Sequence, residues 1–177
     1  MSVGGETMPA FRERAMSLVA YEPETGLFRW KVRRNSHGRA VNPGDVAGTI
    51  NKDGYVVINF SGKLWRGQRL AHLFMTGDVP PKGIDMDHIN GNRADNRWAN
   101  LRTVTRSQNN YNMGISKRNV SGVKGVSWVA KREKWLARLK VEGKIIHLGE
   151  FKDKQLAIAA RKAGEDKYHG EYARKAA

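Results

Sequence analysis

Four side chains between residues 85 and 112 are of the types needed to hydrolyse a phosphodiester bond with the help of a metal ion. Asp87 supplies a carboxylate, His88 an imidazole that titrates near neutrality, and Asn100 and Asn109 supply amide oxygens. Metal-assisted hydrolysis needs oxygen ligands for a hard cation, a general base for water and positive charge for the phosphate. The same stretch carries that positive charge as Arg93, Arg97, Arg102 and Arg106.

Whether these groups share one pocket depends on the turn that follows them. Asp87 and His88 are adjacent, and neighbouring side chains of a regular strand point to opposite faces. A turn at Asn90-Gly91-Asn92 would let both contribute to one site. The same residue types are ordinary turn formers, so a hydrogen-bonded surface loop is the alternative interpretation. An Asp, Asn and His set suits Mg²⁺ or Mn²⁺ better than zinc.

Hydrophobic periodicity and turn signals predict the elements that position these residues. Around the site the stretch is polar, and its turn and capping residues predict strands over 84–88 and 101–104 and a helix over 106–113, with Thr105 as its N-cap. Upstream, the pattern predicts a helix over 11–19, strands over 27–32, 45–50 and 55–60, a loop over 33–43 and a helix over 70–75. Downstream, it predicts strands over 123–129, 135–141 and 145–151, then a helix over 153–167 with Asp153 as its N-cap.

The polar segment has a specific order: Asp87-His88-Ile89-Asn90-Gly91-Asn92, Asp95-Asn96-Arg97, Asn100-Leu101-Arg102 and Ser107-Gln108-Asn109-Asn110-Tyr111-Asn112. This order and spacing resemble the HNH endonucleases, especially the phage and intron-encoded homing types, and residues 21–30 and 53–55 resemble the amino-terminal part of those phage proteins.

The resemblance implies a ββα-metal fold that grips one divalent cation, Mg²⁺ or Mn²⁺. It implies His88 as general base, Asp87 and Asn109 as metal ligands, and Asn100 as the residue that ties the loop in place and orients the histidine. Relatives commonly carry a histidine just before Arg-Leu-Ala, where this chain has Gln68. His72 falls where they usually have an aromatic residue.

A second resemblance covers residues 121–173. Ser121 to Trp128, Lys134 to Leu139, Leu148 to Phe151 and the Ala-rich helix that follows resemble an AP2/ERF DNA-binding domain. That resemblance implies a DNA-facing side on or near which lie Lys124, Trp128, Lys134, Trp135, Arg138 and Lys140. By alternation alone, Trp135, Ala137 and Leu139 share one sheet face, so Trp135 could equally pack against the helix.

Charge and composition narrow the function classes. The chain has 32 Lys+Arg against 17 Asp+Glu, a net charge of +15, which favours a polyanion such as double-stranded DNA as partner. A solvated basic surface or one that binds anionic lipid is the alternative. No apolar run approaches the roughly 20 residues of a membrane span, so we expect no membrane partner. There is no cysteine, and we expect the protein in the cytoplasm, which is that of the host cell if a phage encodes it.

The expected architecture is α+β. Residues 1–60 form a β-rich amino-terminal accessory region, 61–113 the HNH ββα-metal core, 114–120 a linker and 121–173 an AP2/ERF-like module with a three-stranded sheet and a helix. The expected function is a homing-endonuclease-like, metal-dependent DNA endonuclease; as a monomer with one active site it would most simply nick. The alternatives are a catalytically inactive DNA-binding protein on the same scaffold and an RNA-binding or RNA-cutting protein.

Overall fold

The chain divides into two compact units, Met1–Thr103 and Val104–Ala177. A computed structural model describes residues 2–3, 5–36, 39–60, 62–116 and 119–173. The division lies ahead of the predicted linker 114–120, of which Lys117 and Arg118 are outside the described residues. Across the described ranges the fold combines small sheets with four α-helices, so the α+β prediction is confirmed in that form.

The first unit contains two helices and most of the strands. In chain order its elements are β1 (Ser2–Val3), β2 (Glu6–Thr7), α1 (Met8–Leu18), β3 (Val19–Glu22), β4 (Leu27–Trp30), β5 (Arg34–Ser36), β6 (Arg39–Val41), β7 (Thr49–Ile50), β8 (Val56–Phe60), β9 (Lys63–Arg66), α2 (Gly67–Thr76), β10 (Ile84–His88), a 3₁₀ turn (Trp98–Asn100) and β11 (Leu101–Thr105), within which the division falls. The sheets pair β1 with β2, β3 with β4, β5 with β6, β7 with β8 and β9, and β10 with β11.

Aromatic packing holds the first unit together. Phe11 of α1 is 1% exposed and stacks on Trp65 of β9, with ring centroids 4.4 Å apart. Phe28 of β4 stacks on Tyr21 of β3 at 4.8 Å and meets Phe74 of α2 edge-on at 5.9 Å. Large rings bury more area than any other side chains, so these contacts fix the small sheets relative to α1 and α2. They also bring Tyr21 and α2 to the edge of the polar loop after β10.

The second unit begins within β11 and contains α3 (Arg106–Asn112), β12 (Val126–Val129), a 3₁₀ turn (Ala130–Arg132), β13 (Lys134–Val141), β14 (Lys144–Phe151), α4 (Lys154–Tyr168) and a 3₁₀ turn (Gly170–Tyr172). Two predicted caps are confirmed. The Thr105 hydroxyl accepts from Gln108 N in a capping box, and the Asp153 carboxylate accepts from Gln155 N and Leu156 N. The three strands form one antiparallel sheet in the order β12-β13-β14.

Packing in the second unit decides which sheet face is apolar. Val126, Ala137 and Ala157 form its buried cluster, and Trp135 packs against that cluster. Trp135 therefore lies on the face covered by α4, which the alternation pattern had left open. Arg138 and Lys140, one residue off in register, are exposed on the other face.

Several boundaries differ from the predictions. β5 and β6 pair as a hairpin in the segment predicted as a loop over 33–43. Of the strand predicted over 45–50, only Thr49–Ile50 is a strand, and Val46 makes a single bridge to Arg29. No helix of the described ranges is both long and apolar enough to cross a bilayer.

A turn upstream in the chain is packed tightly against the polar loop. Gly26 has a φ of +73°, and a Cβ built on it would lie 2.3 Å from Arg97 N and 2.5 Å from Asn96 C. Gly77, the C-cap of α2, also has a positive φ of +89°, but a Cβ there would meet nothing within 4 Å. A substitution at Gly77 therefore tests backbone strain alone, whereas a substitution at Gly26 tests backbone strain together with crowding.

We expect Gly77→Ala to lower the free energy of unfolding by roughly 1–2 kcal/mol, the cost of a left-handed non-glycine residue. Gly26→Ala should cost a further 1–3 kcal/mol, roughly, because the new methyl group also displaces the backbone at Asn96 and Arg97. Urea unfolding followed by tryptophan fluorescence measures both. Equal losses for the two variants would contradict the packing of this turn.

Candidate active site

Asp87 and His88 end β10 and are both buried, at 6% and 4% exposure. The Oδ2 atom of Asp87 accepts from Arg102 Nε at 3.0 Å and Nη2 at 2.9 Å. Arg102 lies on β11, the strand that pairs with β10. The guanidinium compensates a carboxylate that would otherwise be a costly buried charge. Arg102, predicted to bind DNA, is thus part of an internal ion pair and only 14% exposed at its side chain.

The imidazole of His88 faces a buried amide. Its Nε2 atom lies 3.3 Å from Oδ1 of Asn96, a residue that is 1% exposed. Burial lowers the pKa of His88, against the hydrogen bond to Asn96 and the charges of Asp87 and Asp95, which raise it. A lowered pKa keeps the ring neutral at physiological pH, and a neutral ring is the form that can accept a proton.

Asn100 ties together the two ends of the loop that follows His88. Its Nδ2 donates to Asn90 Oδ1 at 3.1 Å and to Asp95 O at 2.8 Å, while its Oδ1 accepts from Asn90 N at 3.0 Å. Its backbone oxygen accepts from Ile89 N at 2.9 Å. The resemblance gave Asn100 two tasks, tying the loop and orienting the histidine. Its hydrogen bonds belong to the first, and the contact with the His88 ring comes from Asn96.

A second group of hydrogen bonds, centred on Asp95, holds the same loop. Its carboxylate accepts from Arg97 Nε at 2.8 Å and Nη2 at 2.7 Å, and from Asn90 Nδ2 at 2.7 Å. These bonds, led by that from Arg97, lower the pKa of Asp95 to about 2. Arg97 was predicted to contact DNA, and here its guanidinium forms an ion pair within the loop while staying half-exposed.

Two arginine side chains close to His88 stack on the ring of Tyr55. The Tyr55 and His88 ring centroids are 6.0 Å apart. The guanidinium carbons of Arg66 and Arg93 lie 4.4 Å and 4.9 Å from the Tyr55 centroid, and Arg93 Nη1 also donates to Asp53 O at 2.9 Å. Arg66 and Arg93 are exposed. Cations stacked on an aromatic ring beside a buried base are well placed to receive an anion.

Gln68 and His72, the two positions that depart from the pattern of the resemblance, lie on α2. Gln68 is 3% exposed, and its Oε1 has no hydrogen-bond partner among the described residues. His72 Nδ1 lies 2.7 Å from Asp78 O and 3.1 Å from the Thr76 hydroxyl. The His72 ring is thus hydrogen-bonded to groups at the carboxyl end of its own helix.

The predicted metal ligands can be tested by donor type. Among the described residues, no three His, Cys, Asp or Glu side chains form a group that could hold a metal ion. The carboxylate of Asp87 is of the type that Mg²⁺ and Mn²⁺ prefer, as is the amide oxygen that Asn109 carries on α3. The donor types therefore fit a hard cation, and the ligand set of Asp87 with Asn109 stays a prediction. Arg106 is the exposed first residue of α3.

In the second unit, the six residues predicted to face DNA fall into three groups. Lys124 Nζ donates to the backbone oxygens of Asn110 at 2.7 Å and Met113 at 3.0 Å, so its charge stabilises the end of α3. Trp128 pairs directly opposite Trp135, with centroids 5.3 Å apart, and opposite residues share a face.

Both tryptophans therefore lie on the face that α4 covers, with Trp128 45% exposed at its edge. The part that the resemblance implied for both tryptophans in DNA binding stays a prediction. The open face keeps Lys134, half-buried, and Arg138 and Lys140, both exposed.

Comparisons with known proteins give one family match and two similar proteins. The family model described as HNH endonuclease matches residues 67–111. Protein 3.8 of Escherichia phage T7 is 37% identical over 94 residues, which are 53% of this chain and 77% of the relative. An uncharacterized HNH endonuclease of Acanthamoeba polyphaga mimivirus is 35% identical over 78 residues, 44% of this chain and 41% of that protein, so less than half of the mimivirus protein is spanned.

One solved structure is also similar. The HNH homing endonuclease I-HmuI, solved for its DNA binding and cleavage, aligns with a TM-score of 0.37 and 20% identity, covering 84% of this chain and 82% of that chain.

Three residues of the site carried no role in the sequence interpretation. Asn96 was part of a motif but not assigned a task, and Tyr55 and Tyr21 were only part of upstream similarity. Tyr21 donates its hydroxyl to Asn96 O at 2.7 Å from a place far earlier in the chain. Spacing along the sequence carries no signal for a contact that only the tertiary fold creates.

The lowered pKa of Asp95 predicts how stability depends on pH. The folded-state value of about 2 is below the ordinary 3.8, so the ionised carboxylate adds stability above pH 3.8 that is lost as the pH falls toward 2. We expect Asp95→Asn to cost about 1 kcal/mol or less at pH 7, because Arg97 is half-exposed. The difference from the wild type should shrink below about pH 4.

Urea unfolding at a series of pH values measures this difference, and Asp166→Asn, an exposed position on α4, is the matched control. A gap between wild type and Asp95→Asn that stays constant down to about pH 2 would show that the carboxylate is not held ionised by the loop.

Proposed function

Because the chain belongs to the HNH endonuclease family, we propose that it is a divalent-metal-dependent endonuclease that hydrolyses phosphodiester bonds of double-stranded DNA. The observation that carries this proposal is the buried His88, whose lowered pKa and contact with the Asn96 amide suit a general base. A surface histidine in a hydrogen-bonded loop would not need a closed loop, a buried partner and stacked arginines around it.

The proposed reaction begins with a water molecule at the His88 ring. The imidazole takes a proton from that water, and the resulting hydroxide attacks phosphorus in line with the departing 3′ oxygen. A divalent cation held by Asp87, with Asn109 as the second predicted ligand, would stabilise negative charge on the phosphate and on that oxygen. The products are a 5′-phosphate and a 3′-hydroxyl.

Arginine roles follow from what each guanidinium already contacts. Arg93 and Arg66 are exposed beside Tyr55 and are proposed to hold the phosphate backbone near the scissile bond. Arg102 is paired with Asp87, and we assign it to holding that carboxylate in place. Arg97 braces the loop through Asp95, with its remaining exposed surface available to DNA.

The second unit is proposed to bind duplex DNA through the open face of its sheet. Arg138 and Lys140 are exposed there, and residues 114–177 hold 16 basic and 7 acidic side chains, a net +9. A strand-bearing basic face can enter the major groove or follow the phosphates. Tethering the catalytic unit to DNA raises its local concentration along the duplex.

The first test concerns the base. With supercoiled plasmid and Mg²⁺ or Mn²⁺, we expect metal-dependent nicking or linearisation that EDTA abolishes. His88→Ala should lower the cleavage rate by at least about 100-fold and leave DNA affinity unchanged, because the general base is lost while the basic surfaces remain. His72→Ala, in the same unit but bound to the end of α2, is the matched control and should cut normally.

Normal cutting by His88→Ala would remove His88 from the role of base. Tight DNA binding by the wild type without cutting in any metal would favour the alternative of a DNA-binding protein that kept the scaffold and lost turnover.

The second test concerns the open sheet face. Charge reversal in Arg138→Glu with Lys140→Glu should weaken duplex binding, and the slope of log affinity against log salt should flatten by about 0.9 for each phosphate that the protein no longer neutralises. Lys152→Glu with Lys162→Glu makes the same charge change at other exposed positions of the unit and controls for net charge. Equal effects of the two pairs would mean that the open face has no special part in binding.

A further inference from the structure

We propose that Asn96 is a positioning residue that holds the His88 ring and determines which of its nitrogens carries the proton. This inference rests on the proposed function, because it gives the proposed base its orientation. It concerns a residue of the Asp95-Asn96-Arg97 motif that no comparison assigns. Three features carry it: the orientation of the amide, the protonation state that this orientation imposes, and the contacts that hold the amide itself.

The amide of Asn96 is oriented by a second hydrogen bond. Its Nδ2 donates to Ala94 O at 3.4 Å, so its Oδ1 is the atom turned toward His88 Nε2, 3.3 Å away. An amide oxygen can only accept a hydrogen bond. The neutral His88 ring must therefore carry its proton on Nε2, which leaves the lone pair on Nδ1.

That arrangement divides the work of the base between two nitrogens. Nε2 anchors the ring, and Nδ1 is the nitrogen that can take a proton from water. Without the Asn96 oxygen, Nε2 would lose the acceptor that favours its proton. Both tautomers would then be populated, and only a fraction of molecules would present the lone pair of Nδ1 to water.

Asn96 is itself held by segments that precede the polar loop. The Tyr21 hydroxyl donates to Asn96 O at 2.7 Å. Gly67, the first residue of α2, lies so close that a Cβ there would be 2.8 Å from Asn96 Nδ2. Burial and the charge of Asp95 raise the pKa of Tyr21 to about 12, so its hydroxyl stays protonated and keeps donating.

These contacts give the amino-terminal region a role in supporting the proposed site. Residues 1–60 were expected to be accessory, yet Tyr21 reaches the backbone of the residue that holds the proposed base. Asn100 and Asn96 have separate tasks in this arrangement: Asn100 closes the loop through backbone groups, and Asn96 faces the ring.

The tautomer of His88 can be read directly from the ¹⁵N chemical shifts of its imidazole, at a pH where the ring is neutral. The His88→Gln variant identifies the His88 resonances by their disappearance among the five histidines of the chain. In the full-length wild type we expect the proton on Nε2. In Asn96→Leu, which keeps a similar shape without an acceptor, we expect a mixture of both tautomers, whereas Asn96→Asp keeps an acceptor oxygen and should keep the Nε2 proton.

Cleavage is measured on the same variants under single-turnover conditions. Asn96→Leu should lower the rate about tenfold to a hundredfold with DNA affinity unchanged, and Asn96→Asp should recover part of that rate. Asp95→Asn loosens the loop without removing the amide that faces His88, so it should leave the tautomer unchanged. A purely structural role of Asn96 would alter stability in Asn96→Leu and leave the tautomer as it is.

A wild-type His88 that carries its proton on Nδ1 would overturn the proposal, and this measurement requires no variant to fold. An unchanged tautomer in folded Asn96→Leu would overturn it as well. The tautomer is independent of cutting. A protein that never cleaves DNA but loses its Nε2 tautomer in Asn96→Leu would refute the proposed nuclease and leave the role of Asn96 intact.

Discussion

The closure of the loop between His88 and Leu101 is the constraint on which the rest of the site depends. One side-chain amide, that of Asn100, satisfies a donor or acceptor at Asn90 and Asp95 and so joins the two ends of the loop. Asn100 is buried, so each polar atom of its amide left without a partner would cost about 1–3 kcal/mol. Closure also delivers Asn96 to the ring of His88. The chemistry proposed for the histidine is thus a consequence of how a short loop satisfies its own hydrogen bonds.

The sequence predicted most of the elements that frame the site and few of the contacts within it. The strand at Ile84–His88 and the N-cap at Thr105 follow from local signals, namely the turn residues that come soon after the strand and a Thr directly before a helical segment. The hairpin of β5 and β6 was missed because a strand of polar residues such as Arg34–Ser36 looks like a loop in the sequence. The role of Asn96 was missed because its partners, Tyr21 and Gly67, are remote in sequence and their proximity follows from aromatic packing elsewhere in the unit.

The basic residues show the same limit of prediction from sequence. The count of basic residues favours a polyanion, and it says nothing about which cations already have partners. Arg102 is paired with Asp87, and Lys124 is bound by backbone oxygens at the end of α3. Arg138 and Lys140 remain exposed on the sheet. A charge that already neutralises an internal group contributes less to an external ligand, so the cations that matter for binding are a subset that only the fold identifies.

The hydrogen bond from Tyr21 to the backbone of Asn96 bears on how such proteins can be recombined in evolution. The family match begins at residue 67, which would suggest a cassette that could be moved between proteins as a unit. The hydroxyl of Tyr21 and the bare backbone of Gly26 lie outside that cassette, and both press against the loop. A crossover between residues 30 and 67 would separate the loop from its support unless the new partner supplied a matching hydroxyl and an equally close turn. Inheritance of this site should therefore favour exchange of the whole first unit over exchange of the motif alone.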